Sequence, residues 1–118
     1  MPIISKQSKE VRLGDYKCGY PNCEKGNVYV DDKPVCDDEW DDNDAAVVCK
    51  ELGFDGGFAT TGSKYGRVDL EGQSCMDEVH CSGKESSLLE CLHTTQDDCT
   101  NGQGAGVVCY QGGKESGI

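Results

Sequence analysis

The stretch VCDDEWDDNDAAVVCKELGF, residues 35–54, decides how this chain folds. Within it Ala45, Val48, Cys49 and Leu52 recur at i, i+3, i+4 and i+7, the spacing of one α-helical face. Asp42 or Asn43 can cap the start, because a short polar side chain accepts the orphan backbone N–H groups of a first turn. Asp44 suits the positive end of the helix dipole. Gly53 stands where the end of a helix favours a left-handed residue. The spacing predicts a main helix over about 43–52.

Working outward, SSLLEC predicts a second short helix near 86–91, capped by Ser86 or Ser87, with Leu88, Leu89 and Cys91 turned inward. Short strands account for the other apolar runs. Val11-Arg12-Leu13 is one, and Asn27 to Asp31 alternates, with Val28 and Val30 on one face and Tyr29 on the other. Val107 to Tyr110 forms a last strand after the glycine-rich turn NGQGAG. The glycine-bearing stretch from Phe54 to Gly72 is expected to be an irregular surface loop. One good helix with a few strands makes an α+β domain, expected over 11–110. A polar tail precedes it at 1–10, and QGGKESGI at 111–118 reads as a linker.

Composition says how such a domain can be stable. Only 36% of the 118 residues are hydrophobic, whereas nine are cysteine and sixteen glycine. A thin core with many cysteines points to a covalent framework, and a covalent framework points to an oxidising, extracellular setting. No C-x-x-C pair is present, and His80 and His93 lack the spacing of zinc-finger ligands, so disulfides are favoured over a metal cluster. Nine is odd, so one thiol stays free or joins another chain through an intermolecular disulfide.

The net charge of -11, with only Arg12 and Arg67 as arginines, offers no basic stripe for nucleic acid or anionic lipid. No apolar run approaches the roughly 20 residues that span a bilayer, so no direct membrane insertion is expected. The start, MPIISKQSKE, lacks the apolar core of a signal peptide, as a mature form or an excised domain would. None of Asn22, Asn27, Asn43 and Asn101 begins a glycosylation sequon.

Catalysis finds little footing. Ser86, His80 and Asp77 supply triad residue types, but no G-x-S-x-G element presents a nucleophile. NGQGAG precedes neither a helix nor a Gly-Lys-Ser/Thr, so it is no phosphate loop. The acidic residues say more. Eight lie between Asp31 and Asp44 with a single lysine, and hard cations gather several carboxylate or carbonyl oxygens at one point. Trp40, the only tryptophan, is either an exposed binding residue or an anchor beneath the helix start.

The 35–54 run, with VRLGD before it and DEVHCSGKESSLLEC and AGVVCY after it, resembles the scavenger receptor cysteine-rich (SRCR) domain family over about Val11 to Tyr110. The resemblance implies a curved antiparallel sheet cradling one helix. It implies the disulfides Cys36–Cys99, Cys49–Cys109 and Cys81–Cys91, which spacing alone cannot supply, since even eight cysteines allow 105 pairings. Phe54 stands where many relatives have a cysteine, as in the six-cysteine subgroup. Cys18, Cys23 and Cys75 are extra; CGYPNC could close on itself, or Cys75 could take one of that pair.

Function follows from the same likeness. Such domains are extracellular modules that bind protein or glycan ligands, and several hold calcium (Ca2+) at surface carboxylates. The matching positions here are Asp37 and Asp38 for one site, and Asp77, Glu78 and Asp98 for a second. Gln103 and Gly104 replace an acidic pair of the relatives, which should weaken the first site. The segment from Gly26 to Cys36 is shorter than the usual hairpin and lacks its tryptophan. Arg12, Arg67 and Lys64 form no cluster for polyanions, so an anionic ligand would be captured through calcium. The expectation is a non-catalytic extracellular recognition module. The rival is a regulatory or structural module positioning a neighbouring domain, such as a protease, in a multidomain secreted protein. A redox or metal-handling cysteine protein is a third, separable by free-thiol content.

Overall fold

The computed structural model describes residues 11–14, 24–72, 75–96 and 99–111. The expected tail at 1–10, all but the first residue of the expected linker at 111–118, and the segment carrying Cys18 and Cys23 lie outside these.

Five antiparallel strands form the main sheet: β1 (Val11–Gly14), β2 (Lys25–Val30), β3 (Lys33–Pro34), β4 (Gly56–Thr60) and β7 (Gly106–Tyr110). Their order is β1-β2-β7-β4, with β3 also paired to β2. The β2–β3 hairpin turns through Asp31 and Asp32, both at positive φ (55° and 68°), as a tight two-residue hairpin requires. Asp31 therefore belongs to the turn, and the strand ends one residue earlier than alternation suggests. A second sheet pairs β5 (Cys75–His80) with β6 (Leu92–Gln96), with a shift of register between Asp77 and His80.

Helix α1 spans Asp42–Glu51. Its cap is Asp41 rather than Asp42 or Asn43: the Asp41 carboxylate accepts from the N–H groups of Asn43 and Asp44. The Asp44 carboxylate reaches back to the Asp41 N–H at 2.8 Å, completing a reciprocal capping box. Asp41 has the extended backbone a cap needs, whereas Asp42 is already helical. The second helix contracts to one 3-10 turn, Leu88–Glu90, capped by Ser87.

Ala45, Val47, Val48 and Cys49 are fully buried against Val28, Val30 and Val107 of the sheet, with Val79 and Leu88 closing the other side. A smaller cluster joins Cys36, Val68, Leu70, Cys75 and Cys99. Among the described residues three disulfides tie these layers, Cys36–Cys99, Cys49–Cys109 and Cys81–Cys91, the pairing that the family resemblance implies. The stretch Phe54–Gly72 is not wholly a loop, because β4 lies inside it. Gly57 explains why. A Cβ there would sit 2.3 Å from Cys49 Sγ, so only glycine lets β4 pass beneath the helix at the disulfide.

Candidate functional site

Trp40 is buried at 6% exposure, and its indole N–H donates to the Gly106 carbonyl at 2.8 Å. That is the anchoring role: the indole fastens the approach to α1 onto β7. The acidic residues around it then project from a fixed frame.

Asp37 and Asp38 follow Cys36, which is held by a bridge to Gly104 and by an N–H donated to the Met76 carbonyl. The Asp37 N–H donates to the Gln103 carbonyl at 2.8 Å, and its carboxylate accepts from the Gly62 N–H at 2.7 Å. Asp37 is thus committed to the 61–66 loop. Asp38 is exposed, and its carboxylate accepts from the Gln103 side-chain amide at 3.4 Å. Gln103 therefore puts an amide donor beside Asp38.

Asp77 is 1% exposed, on the inward face of β5. One of its oxygens accepts from the Glu78 N–H at 2.8 Å, and the other lies 3.7 Å from Cys99 Sγ. Carboxylate oxygens of Asp38 and Asp77 and the sulfurs of Cys36 and Cys99 all lie within 4.8 Å of one another. The fold thus brings together one residue from each of the two expected cation sites, across the Cys36–Cys99 bridge. Asp37 and Glu78 are not in this cluster, and Asp98 lies outside the described residues. Glu78 sits at the bulge with φ of 50°, one residue out of step with Asp77.

Two features beside the cluster escaped sequence reasoning. Glu39, at φ 65°, pairs with His80 at 2.5 Å, tying the loop before α1 to the end of β5. Asn101 accepts from the N–H groups of Leu70 and Glu71 through its side chain, and from Ser63 through its carbonyl. These contacts hold the 61–72 loop against the turn that carries Gln103. Both join residues far apart in the chain, so no local spacing announces them.

The triad residue types are engaged elsewhere: Ser86 donates to Glu90, His80 pairs with Glu39, and Asp77 accepts from Glu78. Cys75 carries a free thiol, buried at 3% exposure, and burial pushes its pKa up. A desolvated neutral thiol is inert packing, and it is not presented to a second chain. Asp44, also buried, accepts from the Cys81 N–H at 2.8 Å, and burial pushes its pKa up to about 6. Glu85 is held below the usual carboxylate range by the backbone N–H of Ser82. Arg12 pairs with Asp32 and lies over the Tyr29 ring, so it faces its own chain. No helix among the described residues is long and apolar enough to cross a membrane.

Comparison with known proteins agrees with this frame. The family described as scavenger receptor cysteine-rich domain matches residues 19–110. A scavenger receptor cysteine-rich domain superfamily protein of Patiria pectinifera is 44% identical over 80 residues, 65% of this chain and 7% of that protein. Lysyl oxidase homolog 3A of Danio rerio is 44% identical over 78 residues, 64% of this chain and 10% of that protein. The chain thus corresponds to a small part of these curated relatives. Among solved structures, the third SRCR domain of murine neurotrypsin superposes with a TM-score of 0.70 at 31% identity, covering 86% of this chain and 96% of that one. The SRCR domain of mouse MARCO, in its dimeric form, gives a TM-score of 0.60 at 26% identity, covering 92% and 94%.

Proposed function

The chain belongs to the scavenger receptor cysteine-rich domain family, and from that membership we propose that it is a non-catalytic recognition module that binds a protein or glycan partner with the help of calcium. Domains of this family are extracellular, and the three disulfides here suit that setting.

The observation that carries the calcium reading is the approach of Asp38 to Asp77 within 4.8 Å. Two oxygens on one calcium ion, each at 2.3–2.6 Å, lie up to about 5 Å apart, so this pair fits a shared ion. Asp38 is the exposed member, on the side a partner would approach, and Asp77 is the buried one. Asp37, Glu78 and Asp98 are the further carboxylates at hand for a second site or an outer shell. A calcium ion held there would offer its open coordination positions to an acidic group of the partner. That is how a chain of net charge -11 can capture an anionic ligand.

Thermal melting with and without calcium tests this. Calcium is expected to raise the melting temperature of the oxidised chain, and Asp38→Ala or Asp77→Ala to remove most of the rise. An equal rise in both variants and the parent would overturn the assignment.

A second reading draws on the relatives' size. The two curated relatives are more than ten times and about ten times as long as the matched segment, and one is a lysyl oxidase homolog. In a host of that kind the module would position a neighbouring domain rather than bind on its own. Partner binding that requires a flanking domain would favour this reading over the first.

A further inference from the structure

The four-atom cluster of Cys36, Asp38, Asp77 and Cys99 has a chemistry that depends on the state of its sulfurs. While Cys36 and Cys99 are bonded to each other, neither sulfur is a thiolate, and only the two carboxylates can ligate. We propose that opening this disulfide converts the cluster into a tetrahedral Cys2Asp2 zinc site, so that the redox state selects which class of cation the domain holds. This concerns the reduced chain and does not depend on the calcium reading of the oxidised one.

The ligand set suits zinc, a borderline-soft ion bound by thiolates at about 2.3 Å and carboxylates at about 2.0–2.2 Å. Those bond lengths put neighbouring ligand atoms of a tetrahedron roughly 3.3–3.8 Å apart. The four atoms here start within 4.8 Å, and once the S–S bond opens, side-chain rotation parts the sulfurs and draws the oxygens in. Paired thiolates also turn the preference away from hard calcium.

The backbone keeps the ligands together once the S–S bond is gone. Cys36 is bridged to Gly104 and donates its N–H to the Met76 carbonyl, the residue before Asp77. Asp77 sits in β5, paired with Thr94 of β6. The Gln103 amide steers Asp38, and the Cα atoms of Cys36 and Cys99 stand 6.3 Å apart.

Neither of the other bridges offers four ligands among the described residues. Cys81 and Cys91 have only Glu85 beside them, and its carboxylate accepts from the N–H groups of Ser82 and Gly83. Cys49–Cys109 belongs to no such group.

The steps balance. A dithiol gives two electrons and two protons to the Cys36–Cys99 bond, closes its own disulfide, and leaves two thiols. Zinc then displaces both thiol protons to solvent.

The test is residue-resolved alkylation. The chain is partly reduced with a limiting amount of dithiol, freed of it by anaerobic gel filtration, shown by circular dichroism to remain folded, and treated with iodoacetamide with and without zinc chloride. Each cysteine is followed by peptide mass spectrometry. Zinc is expected to slow alkylation of Cys36 and Cys99 selectively, roughly a hundredfold at free zinc a hundred times the dissociation constant. Cys49 and Cys109 should react as fast as before, and calcium should protect nothing. Asp38→Asn, at an exposed position, should weaken the zinc effect at least about tenfold, the size seen when only an outer partner of a ligand is changed. Protection spread evenly over all cysteines, absent altogether, or unchanged in Asp38→Asn would overturn the proposal.

Discussion

Two aspartates three positions apart do opposite work at the start of α1. Asp41 stays outside the helix and holds its first N–H groups. Asp41→Ala should cost about 0.5–2 kcal/mol, read as a lower urea midpoint. Asp44 lies inside, fully buried, with one oxygen on the Asp41 N–H and the other on the Cys81 N–H. Burial raises its pKa from 3.8 to about 6 despite these donors. A raised folded-state pKa means that folding takes up a proton. Asp44 therefore contributes stability that is fully present below about pH 4 and is lost as pH rises through about 6. The loss is at most roughly 3 kcal/mol, at 1.36 kcal/mol per pKa unit. Urea unfolding between pH 4 and 7 should show this slope in the parent, and the difference from Asp44→Asn should isolate it. The variant should also be weaker at pH 4 by about 1–3 kcal/mol, because its amide nitrogen turns a donor toward one of the two N–H groups that the protonated carboxyl still meets with oxygen. A parent and variant with parallel pH profiles would show that Asp44 titrates normally.

At the scale of elements, what could be read ahead depended on whether a segment carried its own pattern. Helix α1 was legible because Ala45, Val48 and Cys49 repeat at the helical spacing and all three are buried. Strands β1, β2 and β7 were legible from their valines. Strand β4 was not, because GGFAT reads as loop chemistry: its two glycines have low strand propensity. Their reason lies elsewhere in the chain, at Cys49 for Gly57 and under the Tyr110 ring for Gly56. Strand β5 was hidden differently. It places Asp77 inward between Cys75 and Val79, so a carboxylate interrupts the apolar alternation, and a bulge follows. The cluster of Cys36, Asp38, Asp77 and Cys99 was not legible as a grouping. Asp38 and Asp77 were assigned to different sites, and the Cys36–Cys99 bridge and the Cys36–Met76 hydrogen bond bring them together. Gly57→Ala follows from the close approach of β4. The added methyl meets Cys49 Sγ and the Val108 carbonyl at 2.3 and 2.8 Å, so the helix must lift from the sheet. Thermal melting should show a loss of about 1–3 kcal/mol or more. A variant as stable as the parent would mean that β4 has more room than this packing allows.

For the whole molecule, covalent links supplement a thin core. Cys36–Cys99 and Cys49–Cys109 close loops of 63 and 60 residues, whereas Cys81–Cys91 closes one of 10. Loop-closure entropy assigns roughly 4 kcal/mol to each long bridge and roughly 3 kcal/mol to the short one. Replacing both cysteines of a bridge by alanine should follow that order in urea unfolding. The reverse order would place the stabilisation in local packing rather than in the unfolded chain. The same bridges tie α1 to β7 and the residue before Asp37 to Cys99.

The calcium assignment is tested most directly by isothermal titration of calcium into the oxidised chain, compared with Asp38→Asn and Gln103→Glu. Asp38→Asn removes an oxygen charge from the pair, and Gln103→Glu puts a carboxylate where an amide now touches Asp38. A measurable affinity is expected in the parent, its loss in Asp38→Asn, and a tightening of about tenfold in Gln103→Glu, because site affinity follows ligand charge count. No heat of binding in either the parent or Gln103→Glu, with all three chains folded, would contradict it.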